Sequence, residues 1–191
     1  QAIVSANFAV ARLLLERGAN VHFVDADGLN AFYYACREGD VALVRQFIAL
    51  PEASHCQDRR GMSPLLIAIE KGHQQIVELF QHHGLIPRQK PELWQESPLQ
   101  TALTSGHSDI ALLLLDQVDV AQDDLITACK EDNCDIVRLL LQKKLASPLD
   151  CGSAGITAMH AACQASLAML KVVKKGGGAI DQRALDRATP Q

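Results

Sequence analysis

Seven histidines and six cysteines give this chain of 191 residues the ligand types that a metal site needs. A structural zinc site takes four such ligands at fitting spacing. His82-His83 and His55-Cys56 are isolated pairs, and no Cys-x-x-Cys occurs. The glycine clusters Gly152-Ser153-Ala154-Gly155 and Gly176-Gly177-Gly178 lack the Gly-Lys-Ser/Thr that cradles a phosphate. Asp123-Asp124 and Glu131-Asp132 fall at expected helix ends, where solvation and capping account for them without acid–base work. The sequence therefore predicts no catalytic residue, no metal and no cofactor.

The elements that hold these residues are short helices in pairs. In residues 61–84, Ser63 suits an N-cap and Pro64 suits the first helical position, where its missing N–H has no partner to lose. Leu65, Ala68 and Ile69 follow at helical spacing as far as Gly72. A second helix carries Ile76, Val77, Leu79 and Phe80 on one stripe and closes at Gly84. Neither helix is long enough to stand alone in water, so their apolar faces need neighbours.

The same pattern returns along the chain. Ala68 has counterparts at Ala35, Ala102, Ala128 and Ala162, in steps of 33, 34, 26 and 34 residues. The stripe recurs as Val10-Ala11 with Leu13-Leu14-Leu15, as Leu43-Val44 with Phe47-Ile48, as Ile110-Ala111 with Leu113-Leu114-Leu115, and as Ile136-Val137 with Leu139-Leu140-Leu141. A turn and two helices at this period specify a stacked array in which each unit touches only its neighbours.

The pattern resembles the ankyrin-repeat family. The resemblance rests on Asp58-x-x-Gly61-x-Ser63-Pro64-Leu65, on Gly72-His73, on residues 13–21 (LLLERGANV), and on Thr157-Ala158-Met159-His160-Ala161-Ala162. It covers essentially the whole chain. It implies an all-α ankyrin solenoid of helix-turn-helix units with projecting turns. The expected units are residues 1–24 (partial), 25–57, 58–91, 92–117, 118–150 with a shortened finger, 151–185, and the start of another at 186–191. Both ends fall inside units, so the array is expected to run on in each direction. The 26-residue step leaves residues 118–122 as connector, too few for a hairpin, with Asp123 as the expected N-cap of the next helix. Leu79 and Leu114 are expected in the core.

Composition sets limits on partners. The net charge of −4 gives no footprint for nucleic acid or an anionic membrane surface. The longest apolar run, residues 110–115, is far below the roughly 20 residues that span a bilayer. Residues 2–15 read as repeat and not as a signal peptide. Cys36, Cys129 and Cys163 each follow a register alanine, which makes them buried spacers. A reducing setting, cytoplasmic or nuclear, follows as the expectation.

Function is left to the surface. The resemblance implies a non-catalytic module that binds a protein or peptide through finger tips and first helices. Carried over by register, the partner-binding candidates are Leu29, Arg59, Arg60, Met62, Glu70, Lys71, Leu93 and Trp94. Apolar side chains beside Arg suit a partner with hydrophobic anchors and a carboxylate. The alternative is a regulatory or substrate-recruiting segment of a larger enzyme such as a kinase, ubiquitin ligase or bacterial effector.

Overall fold

The computed structural model describes residues 13, 17, 18, 20, 23–48, 56–88 and 97–175. Ten helices lie among them. They are α1 (Ala31–Glu38), α2 (Val41–Ile48), α3 (Pro64–Glu70), α4 (Gln74–His82), α5 (Pro98–Thr104), α6 (Ser108–Leu114), α7 (Gln122–Lys130), α8 (Cys134–Gln142), α9 (Ala158–Ala165) and α10 (Leu167–Lys175). Extended pairing among the described residues is limited to two isolated bridges, Val24–Asn30 and Cys151–Thr157. The all-α expectation holds. Contacts divide the chain into two compact units, residues 1–101 and 102–191, with the boundary inside α5.

Four of the five first helices, α1, α3, α5 and α9, start on a side-chain cap. Asn30, Ser63, Ser97 and Thr157 accept hydrogen bonds from the backbone N–H three residues on, at 2.9, 3.3, 3.0 and 3.3 Å. The first helices α1, α3, α5 and α7 end in a related way. The register alanines Ala35, Ala68, Ala102 and Ala128 accept from the N–H of Asp40, His73, His107 and Asn133. The residue before that donor is left-handed in every case: Gly39, Gly72, Gly106 and, without glycine's freedom, Asp132 at φ 54°. All four alanines, and Ala162 with them, are fully buried, because any larger side chain would hold adjacent helices apart.

The first unit packs around Phe32. Its ring meets Phe47 edge-on at 6.1 Å and Phe80 at 5.7 Å, joining α1, α2 and α4. Leu43, Val44, Leu66, Ile69, Ile76 and Val77 complete that core. In the second unit the core is Ile110, Leu114, Leu125, Ile136, Val137, Leu140, Met159, Met169 and Val173. Leu114 is fully buried as expected, whereas Leu79 is only half-buried. Ile76 and Phe80, one turn apart, already fill the inward stripe of α4, and Leu79 falls at its edge.

Around residues 115–121 the chain closes α6 in turns and enters α7 with Ala121 as N-cap. The expected cap, Asp123, lies inside the helix instead. Asp124 supplies the local bond, its Oδ2 accepting from Ala121 N at 2.8 Å. The paired helices on either side are linked by polar contacts: Asn133 Nδ2 donates to Ser108 Oγ at 2.8 Å, and Lys143 Nζ lies 2.7 Å from Asp116 Oδ1. Gln122 then ties down the chain after α8, donating to Ser147 O at 2.6 Å and accepting from Ser147 N at 3.2 Å.

Cys36 and Cys129 are buried spacers, and burial pushes both thiols up, that of Cys129 to about 12. Cys163 is half-buried, contrary to the expectation. Cys56 Sγ donates to Asn30 Oδ1 at 3.2 Å.

Candidate functional site

Two fingers of the first unit are built alike. In residues 25–29, Asp25 N donates to Leu29 O at 3.0 Å and Gly28 N to Asp25 O at 3.0 Å, while Gly28 takes φ 78°. In residues 58–62, Asp58 N donates to Met62 O at 3.0 Å and Gly61 N to Asp58 O at 2.9 Å, with Gly61 at φ 75°. Aspartate opens both because its side chain satisfies the turn's own amides. Asp25 Oδ1 accepts from Asp27 N and Leu29 N, and Asp58 Oδ1 accepts from Arg60 N and Met62 N.

The second carboxylate oxygen of each finger takes a tyrosine. Tyr34 Oη donates to Asp25 Oδ2 at 2.5 Å within one repeat, and Tyr33 Oη donates to Asp58 Oδ2 at 2.9 Å across to the next. The Tyr34 bond holds the Asp25 carboxyl below its ordinary range. Burial pushes Asp58 the other way, but the bonds from Met62 N and Tyr33 prevail and its pKa is lowered too. The same bonds push Tyr34 up to about 12 and, with burial as the larger cause, raise Tyr33.

This frame places the predicted site residues. Arg59, 82% exposed, reaches back across the fingers to Asp27, 50% exposed, with Nη2 to Oδ1 at 2.5 Å. Arg60, 60% exposed, bridges Asp58 Oδ2 at 3.3 Å and Glu70 Oε2 at 3.2 Å. Lys71 Nζ holds the other oxygen of Glu70 at 3.2 Å. Arg59, Arg60, Glu70 and Lys71 thus lie along one charged strip, in which the arginines have intramolecular acidic partners. Arg37 adjoins it: its guanidinium stacks 4.7 Å over the Tyr34 ring and its Nε lies 2.8 Å from Glu38 Oε1. His73 has a structural task, its Nε2 bonding Arg37 O at 3.0 Å while its ring occupies the space where a Cβ on Gly39 would stand.

Leu29 is corrected. It is 8% exposed and belongs to the core, because the return arm of the finger turns its side chain inward. Met62 occupies the equivalent place and is half-buried, as is Ile156 in the finger of residues 152–156. An apolar residue directly after the finger glycine in all three is a packing signal, legible as repetition. Leu93 and Trp94 lie outside the described residues, as does Glu96 beside them. Among the described residues no group of three or more His, Cys, Asp and Glu could hold a metal ion.

Paired short helices, left-handed glycines between them and finger turns define a helical repeat protein of the kind built for binding. The family model for ankyrin repeats in three copies matches residues 1–90 and 40–124, and the chain belongs to the ankyrin-repeat family. The crystal structure of the human ASB11 ankyrin repeat domain superposes with a TM-score of 0.80 at 25% identity, covering 100% of this chain and 90% of that one. An ankyrin repeat and LEM domain-containing protein 1 homolog of Caenorhabditis elegans is 38% identical over 58 residues, which is 30% of this chain and 8% of that protein. Putative glutaminase 3 of the same organism is 27% identical over 104 residues, or 52% of this chain and 18% of its own length. A putative ankyrin repeat protein of Fowlpox virus (strain NVSL) is 38% identical over 47 residues, 25% of this chain and 33% of its own. The matches to these last three proteins span a third or less of each one's length. Ankyrin repeats are generally protein–protein interaction modules, and no helix described here is long and apolar enough to cross a membrane.

Proposed function

We propose that this chain is a non-catalytic recognition segment that docks a partner protein or peptide on the fingers and first helices of residues 25–71. The observation that carries this is the Arg59–Asp27 pair across the two finger tips. An ion pair so exposed contributes only about 0–1 kcal/mol to the fold, so it can be exchanged for a partner's carboxylate at little cost. Arg60, Glu70 and Lys71 extend the strip, with Met62 as its apolar margin. Leu93 and Trp94 supply the apolar anchor contacts in this reading. A cytoplasmic or nuclear setting belongs to it, supported by Cys36 and Cys129 serving as packing residues.

The test is affinity capture followed by direct titration of the captured partner. Arg59→Glu with Arg60→Glu should weaken binding at least tenfold, more at low salt, with the fold intact by circular dichroism. Unchanged affinity in that variant would place the docking face elsewhere. The partial likeness to a putative glutaminase favours a second reading, in which the segment recruits substrates or partners to a larger enzyme. Binding that persists in the isolated segment but changes the turnover of the whole protein would support it.

A further inference from the structure

Charge is not spread evenly along the chain. Residues 136–175 carry six cations, Arg138, Lys143, Lys144, Lys171, Lys174 and Lys175, against the single carboxylate of Asp150, while the whole chain is at −4. Lys143 is neutralised by Asp116, and Arg138 by Asp135 at 3.1 Å. Lys171, Lys174 and Lys175 make no ion pair among the described residues. Between α8 and α10, on the second helices and so apart from the fingers, lies a cleft of about 900 Å³. Leu141, Ala168 and Val172 give it apolar lining, Lys171 and Lys175 of α10 give it cations without an ion pair among the described residues, and Gln142 and the Asp135-paired Arg138 line it from α8. Leu167, which precedes Ala168 in α10, is 78% exposed.

We propose that this cleft is a second docking site, and that it takes an acidic segment of a partner protein with a bulky apolar side chain between carboxylates. Charge complementarity selects the acid, because Lys171 and Lys175 line one space without an intramolecular carboxylate partner among the described residues. The recessed apolar lining selects the bulky side chain. A flat anionic lipid surface would meet the ammonium groups and leave Leu141 and Val172 uncovered. The site is independent of the finger face and stands or falls apart from it.

The experiment uses the full chain and a fluorescent synthetic peptide of alternating glutamates and leucines, read by anisotropy. Two comparison peptides replace glutamate by glutamine and leucine by serine, and phosphatidylserine-containing vesicles are tested by sedimentation. The acidic leucine peptide should bind, and Lys171→Glu with Lys175→Glu should weaken it roughly tenfold or more. Lys144→Glu with Lys174→Glu makes the same charge change outside the lining and should weaken it less. Val172→Asp should abolish the advantage of leucine over serine, while Arg59→Glu with Arg60→Glu should leave binding unchanged. Absence of peptide binding, equal loss in the two double lysine variants, or retention by vesicles without binding of the peptide would each overturn the assignment.

Discussion

The carboxylate of Asp123, early in α7, occupies the space where a side chain at position 152 would begin. A Cβ on Gly152 would lie 2.1 Å from Asp123 Oδ1 and 2.5 Å from Ile126 Cδ1. Asp123 Oδ1 accepts from Ser153 N at 2.9 Å, so it satisfies the finger of residues 152–156 from outside. In the other fingers an aspartate at the opening position does this from within. Glycine at 152 and aspartate at 123 are one arrangement divided between two repeats.

Gly152→Ala should therefore destabilise the second unit by about 1–3 kcal/mol, as overpacking does. Asp123→Ala removes the acceptor and should cost about 1 kcal/mol. In the double variant the clash with Asp123 disappears, and the two effects should add to less than their sum. Urea denaturation of the four proteins checks this, and strict additivity would count against the contact.

Tyr33→Phe removes the one hydroxyl that joins α1 to the finger of residues 58–62 and should cost about 1 kcal/mol. Asp58→Ala alone should cost more, because Asp58 Oδ1 also accepts from Arg60 N and Met62 N. The double-mutant cycle should show coupling of at least about 0.5 kcal/mol.

The pH dependence follows from the same frame. Asp25 and Asp58 are depressed in the folded state, so the stability they contribute is present above about pH 4, the ordinary carboxyl value, and is lost as pH falls through the folded values. Tyr34 is raised to about 12 by Asp25. Its contribution is present below about pH 10 and is lost as pH rises from there through about 12. Urea midpoints measured across pH should show both losses, and Tyr34→Phe should flatten each of them.

Leu114→Ala should cost roughly 2–5 kcal/mol, being a fully buried leucine. Leu79→Ala should cost roughly 1–2 kcal/mol, because a half-buried side chain loses less transfer energy and its gap opens to water. Comparable losses at the two sites in thermal denaturation would contradict the burial difference.

Lys144 holds a left-handed φ of 54° after α8, where Gly84 stands after α4. Lys144→Gly should stabilise the second unit by about 1 kcal/mol through relief of that conformation. A lower melting temperature in this variant would show that the lysine side chain offsets the backbone cost.

The spacing of the alanines and leucine stripes determined the helical array, and the caps at Ser63, Ser97 and Thr157 determined where its helices begin. Those features act within a repeat, over a few residues, where period and capping chemistry leave little freedom. The direction of finger side chains was decided only in three dimensions. Leu29 turns inward and Arg59 turns across to Asp27 because hairpin closure and a neighbouring repeat 32 residues away set their surroundings. Asp123 is the plainest case. Its sequence position suits a helix cap, yet its carboxylate serves Ser153, 30 residues on, because the absence of a side chain at Gly152 leaves room for it there.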